Sequence, residues 1–154
     1  MNSSHLPLSI DLVRAALRSE ELRDMPLDQR EEDVRDYLRF LALVQAHPHV
    51  SLAPTKRVDR IWHLHMLHPR AYHADCLRLF GDVLDHDGGF GSTADEEPEL
   101  ARLFDETAAL WRATYGLDYV GAPVACKRNC VSRCRRACAS LEISGAGRIA
   151  CCGS

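Results

Sequence analysis

The chain has 154 residues, of which 46% are apolar, 27% charged and 6% aromatic, a size that fits one compact domain with an appendage and excludes two full domains. Its formal net charge of −3 argues against a dedicated nucleic-acid binder, whose footprint is a basic excess over the whole domain. No stretch reaches the ~18 consecutive apolar residues of a membrane span, and Met1 to Ile10 lacks the basic start and apolar run of a signal peptide, so a cytoplasmic protein without membrane contact is expected.

In chain order, Ile10 to Leu17 has apolar residues at 10, 12, 13, 16 and 17, the period of a short amphipathic helix. Asp28 with Glu31 reads as a capping box. Val34, Tyr37, Leu38, Leu41 and Val44 then recur at helical spacing until Pro48, which predicts a helix over Leu27–Ala46. Thr55 suits the N-cap of a helix through Val58, Ile61, Trp62 and His65, interrupted at His68-Pro69. Pro69 suits the first position of the next helix, Arg70 to Phe80, which Gly81 closes. Asp82 to Gly91 holds three glycines and three aspartates around His86 and reads as a sharply bent loop too polar for the core. Pro98 opens the last helix, with Leu100, Leu103, Phe104, Leu110, Trp111 and Tyr115 on one stripe and Gly116 as its stop. No run alternates with period 2, so no sheet is expected. The expected body, residues 1–120, is an all-α bundle of four or five helices. Gly121, Ala122 and Pro123 mark the boundary to a tail, residues 121–154, partly disordered or helical and too poor in apolar mass for a core of its own.

Six of the seven cysteines lie in that tail, whereas the histidines, His5 apart, lie between His47 and His86. Without an export signal, such thiols point to reduced, metal-bound or enzymatically modified states over structural disulfides. In the body the densest chemistry runs from Val58 to Pro69 and on through Tyr72, His73, Cys76 and His86. Imidazole and thiolate together are donors that a borderline ion such as Zn²⁺ selects. Residues two apart on a helix point about 200° away from each other, so His63 and His65 cannot both reach one ion, whereas Asp59 and His63 share a face. Cys76 and His86 would have to fold back onto one of these faces. The expected ligands of zinc or another transition metal are His63, His65, Cys76 and His86, with Asp59. Each histidine taken singly also fits a hydrogen-bonded core role, Trp62 fits the core, and His47, His49 and His73 fit solvent. Cys76 beside a histidine lacks an oxyanion hole and an orienting group, and no HExxH helix is present, so a non-enzyme is expected.

The run Ala53-Pro54-Thr55 to Val58-Asp59, then Trp62-His63-x-His65, Tyr72, Asp75-Cys76, Phe80-Gly81 and His86 resembles the signature of the glycine-rich domain-containing protein-like family of plants and bacteria. The resemblance covers roughly residues 30–116. It implies a helical fold and points to Asp59, Trp62, His63, His65, Tyr72, Cys76, Gly81 and His86 more than to any reaction. The chain departs from the pattern at His68-Pro69, where an aspartate and a non-proline residue are expected, and at Asp87-Gly88-Gly89, in place of a more apolar run.

The tail is basic: Lys127, Arg128, Arg133, Arg135, Arg136 and Arg148 stand against the single Glu142, leaving the body 13 Lys/Arg against 21 Asp/Glu. Cys126, Cys130, Cys134 and Cys138 recur every fourth residue, which on a helix would set four thiols on one stripe, about 40° apart. A tetrahedral Cys₄ site would instead need the segment to wrap. Cys151 and Cys152 are too crowded to hold one ion together. The neighbouring cations favour thiolate. The tail therefore reads as a binder of Zn²⁺ or Cu(I), as the core of a ribosomally made peptide processed by a modifying enzyme with the body as leader, or as a basic extension with incidental cysteines, which the periodic spacing disfavours. Nucleic acid is an unlikely partner for a tail without stacking aromatics. The expected function is a non-catalytic, transition-metal-binding helical domain with a thiol-rich metal- or redox-binding tail, the alternative being the modified-peptide precursor.

Overall fold

The computed structural model describes residues 6–121 and 126–129, the last four by their backbone. The described residues form α1 (Leu12–Ala16), α2 (Leu27–Ala46), α3 (Lys56–Met66), α4 (Pro69–Phe80), β1 (Asp85–Gly88), α5 (Glu97–Tyr115) and β2 (Cys126–Asn129). The chain is thus mostly helical, with α3 in contact with α1, α2 and α4.

Local chemistry sets most helix ends. The Asp11 carboxylate accepts from the Arg14 amide at 3.0 Å and starts α1. Thr55 Oγ1 accepts from the Val58 amide at 3.3 Å and starts α3, filling one of the donors that a first helical turn leaves unpaired. Thr55 is itself fixed from the far end of the chain. The Tyr119 hydroxyl accepts from the Thr55 amide at 3.1 Å and donates to the Ala53 carbonyl at 3.0 Å, while Thr107 Oγ1 of α5 accepts from the Ala53 amide at 3.0 Å. Pro69 is the first residue of α4, and Gly81 closes it at φ 72°, in the left-handed region that glycine enters without penalty.

One cap differs from the sequence reading. α2 begins at Leu27 with Pro26 in the cap position and no side-chain cap bond, so the Asp28 and Glu31 capping box does not form. Asp28 lies inside the first turn, where its charge meets the positive end of the helix.

The core is built on α2 and α3. Tyr37, Phe40, Leu43 and Val44 of α2 and Ile61 and Trp62 of α3 are fully buried, with the Phe40 and Trp62 rings 5.5 Å apart. A polar seam runs beside this contact. Asp33 of α2 is fully buried, with Arg57 Nε 2.8 Å from its Oδ1, Arg60 paired to its Oδ2, and Gln29 Nε2 donating to it at 2.7 Å.

The segment 82–91, read from sequence as a polar loop outside the core, is corrected by the structure. It buries Leu84 and Phe90 and contains β1, which pairs antiparallel with β2 in the register Asp85↔Asn129, His86↔Arg128, Asp87↔Lys127 and Gly88↔Cys126. The strand eluded the period-2 criterion because each strand is four residues long and its partner lies about forty positions away. Gly91, at φ 90°, sits so close to Leu100 that an added Cβ would fall inside that side chain, which lets Phe90 join Ala53, Leu100 and Leu103 in a second small cluster.

Candidate metal centre

Asp59 and His63 stand one turn apart on the same face of α3, and His86 reaches them from β1. The His86 Nε2–H donates to Asp59 Oδ1 at 2.9 Å, and His63 Nε2 lies 3.7 Å from the same oxygen. One donor atom from each of the three residues lies within 4.8 Å of the others. A tetrahedral ion with bonds of about 2.0–2.1 Å sets its ligand atoms roughly 3.3 Å apart, so the 2.9 and 3.7 Å contacts lie about half an ångström from that spacing, and seating an ion would close the widest pair by up to about 1.5 Å. Two imidazoles and one carboxylate form a donor set suited to a divalent transition ion with coordination positions left open. The His63 side chain is 50% exposed and that of His86 7%, so the group opens to solvent on the His63 side.

His86 is held by the core behind it. Its ring meets Trp62 edge-on at 4.5 Å and the His63 ring at 4.8 Å. The Trp62 indole N–H donates to the Tyr72 hydroxyl at 3.0 Å, and that hydroxyl donates to the Leu84 carbonyl at 2.6 Å. Leu84 lies two residues before His86, so this chain of bonds fixes where β1 leaves the core.

The expected ligands His65 and Cys76 do not join this group. His65 points the opposite way from His63 around α3, as residues two apart on a helix must, and is fully buried. Its Nδ1 lies 2.9 Å from the Tyr37 hydroxyl and its Nε2 3.2 Å from Asp75 Oδ2. A carboxylate only accepts, so the proton belongs on Nε2 and Nδ1 accepts from Tyr37. Burial holds the His65 pKa below its ordinary value against the pull of Asp75. Burial raises the pKa of Asp75 in turn, but hydrogen bonds from Ser9 and Arg78 outweigh it and hold the carboxyl below its usual range. Cys76 is buried too, which pushes its thiol up despite the Leu84 amide and the Tyr72 hydroxyl nearby. Such a thiol is a poor source of thiolate.

Among the tail thiols, Cys126 lies in β2, a strand at that position and not a helix. Cys130, Cys134, Cys138, Cys151 and Cys152 lie outside the described residues. The sequence reading missed Tyr37 as the partner of His65, because the two are 28 positions apart on different helices. Trp62 was read as core, and it also forms the wall against which the His86 ring rests; its place beside His63 on a helix was the available signal.

No family model matches the sequence, and no solved structure does. Glycine-rich domain-containing protein 1 of Arabidopsis thaliana is 39% identical over 93 residues, which cover 58% of this chain and 11% of that protein. Glycine-rich domain-containing protein 2 of the same plant is 34% identical over 93 residues, covering 58% of this chain and 12% of the relative. The chain thus spans only 11–12% of the length of these curated relatives, whose names state no activity. Over that shared segment of 93 residues the chain is similar to these glycine-rich domain-containing proteins, the resemblance that its Trp62-His63-x-His65 run carries.

Proposed function

We propose that this domain binds a divalent transition metal, zinc or a close relative, through Asp59, His63 and His86, in a non-catalytic role. The observation that carries the reading is the convergence of two imidazoles and a carboxylate from two elements, with donor atoms within 4.8 Å of one another. The ion would replace the proton that His86 shares with Asp59. A non-catalytic role is supported by the burial of His65, Tyr72 and Cys76 in the core, out of reach of a substrate. The four-residue spacing of the tail thiols supports a second, soft-metal or redox role there. A covalent mass change confined to residues beyond Pro123 would favour a modifying enzyme as the tail's partner instead.

The test is metal stoichiometry of the full chain, stripped with chelator and dialysed against Zn²⁺ or Co²⁺. His63→Gln, at a half-exposed position, is expected to fold as the parent does and to bind one ion fewer. Its residual affinity at the body site should fall by more than the roughly 10–100-fold that loss of an outer-shell partner costs. Unchanged stoichiometry in both His63→Gln and His86→Asn would overturn the reading.

A further inference from the structure

We propose that metal capture at Asp59, His63 and His86 governs the docking of residues 126–129, so that the body's ion site controls how the cysteine-bearing segment is attached. The inference rests on the metal reading above and adds a coupling to it. A two-stranded ribbon of four residues a side is marginal in water unless something packs against it. Among the described residues, β2 is bonded in its sheet to β1 and to no other strand. Within β1 the end residues Asp85 and Gly88 are exposed, and the anchor to the helical body is His86, wedged on Trp62 and bonded to Asp59. The register sets Arg128 at the position facing His86 and Lys127 at the position facing Asp87, so the basic start of the tail lies along the strand that carries the ligand.

An ion bonded to His86 and to two residues of α3 closes a bridge between β1 and the body. Undocking β1 then means breaking coordination as well as a hydrogen bond. A ligand that binds only the docked state raises the ratio of docked to undocked molecules by the factor 1 + [L]/Kd, which is about 100-fold at a free ion concentration of 100 Kd, less any affinity that Asp59 and His63 keep alone. Coupling is reciprocal, so the factor by which the ion strengthens docking is also the factor by which docking strengthens ion binding, and loss of the β1–β2 pairing lowers ion affinity by at most that factor.

Amide hydrogen exchange on the full chain, with and without Zn²⁺, tests this. Exchange in residues 85–88 and 126–129 is expected to slow together on Zn²⁺ binding, by up to about 100-fold. His63→Gln should abolish the slowing, read against its own metal-free rates. Arg128→Pro, which removes a strand amide, should lower Zn²⁺ affinity at the body site. If Zn²⁺ binds with no slowing in 126–129, or if the slowing persists in His63→Gln because the tail thiols cause it, the coupling is overturned and the metal site stands. Unchanged affinity in Arg128→Pro also overturns the coupling, and absence of Zn²⁺ binding at the body site overturns both.

Discussion

One buried hydroxyl, beside the Trp62 and Asp59 contacts, helps to position His86. Tyr72 accepts from Trp62 and donates to the Leu84 carbonyl, and both of its partners are buried. Burial pushes the Tyr72 phenol far above its ordinary pKa, so it keeps its proton and remains a donor at neutral pH. Tyr72→Phe keeps the ring and removes the link, leaving an indole N–H and a carbonyl without this partner. The expected cost is about 1–3 kcal/mol, read as a lower denaturant midpoint at unchanged slope, together with weaker Zn²⁺ binding as β1 loosens. Tyr37 offers a control, because its hydroxyl serves His65 and lies outside the His86 chain. Tyr37→Phe should reduce stability while leaving Zn²⁺ affinity at the parent's value.

Among the elements, α2 and α3 are joined by apolar packing and by Asp33, a fully buried carboxylate between Arg57 and Arg60. Breaking a buried ion pair by removing one partner costs about 3–5 kcal/mol, because the other charge stays desolvated. The two arginine side chains are each 24% exposed and can turn partly to water, so Asp33→Ala is expected near the low end, about 3 kcal/mol, by urea denaturation. The seam also shows what sequence could reveal of the elements. Thr55, Pro69, Gly81 and Gly116 announced helix ends, because capping is chemistry of neighbouring residues. Asp33 gave no comparable signal: on a helical wheel it is one more charge, and its burial depends on arginines 24 and 27 positions on. The candidate site divides the same way. The Asp59 and His63 pair follows from the helical repeat. The departure of His65 follows from it too, whereas the arrival of His86 and the departure of Cys76 follow from how β1 and α4 settle on α3, which helical period does not encode.

Across the whole molecule, the buried Tyr37–His65–Asp75 chain ties α2, α3 and α4 together and reaches the start of the described chain, where the Ser9 amide and hydroxyl both donate to Asp75. This arrangement sets the sign of the His65 contribution to the metal-free protein's response to acid. Burial places the folded-state pKa of His65 below its ordinary 6.5, so as the pH falls through 6.5 the unfolded chain takes up a proton that the folded chain refuses. Stability rises with pH wherever the unfolded state binds more protons. The His65 contribution is therefore complete above 6.5 and is lost below it, by up to about 1.4 kcal/mol per pH unit until the folded-state pKa is reached. Asp75 is also held below its ordinary 3.8, so its contribution persists through that range and fades only in stronger acid. Denaturant midpoints of the chelated protein at pH 7.5, 6.5, 5.5 and 5.0 should fall with acid. In His65→Gln, which keeps a polar side chain without a titrating ring, stability should be lower at neutral pH but its decline towards pH 5 shallower. Parallel declines in the two proteins would show that His65 does not carry the acid sensitivity and that the neutral ring assigned between Tyr37 and Asp75 is wrong.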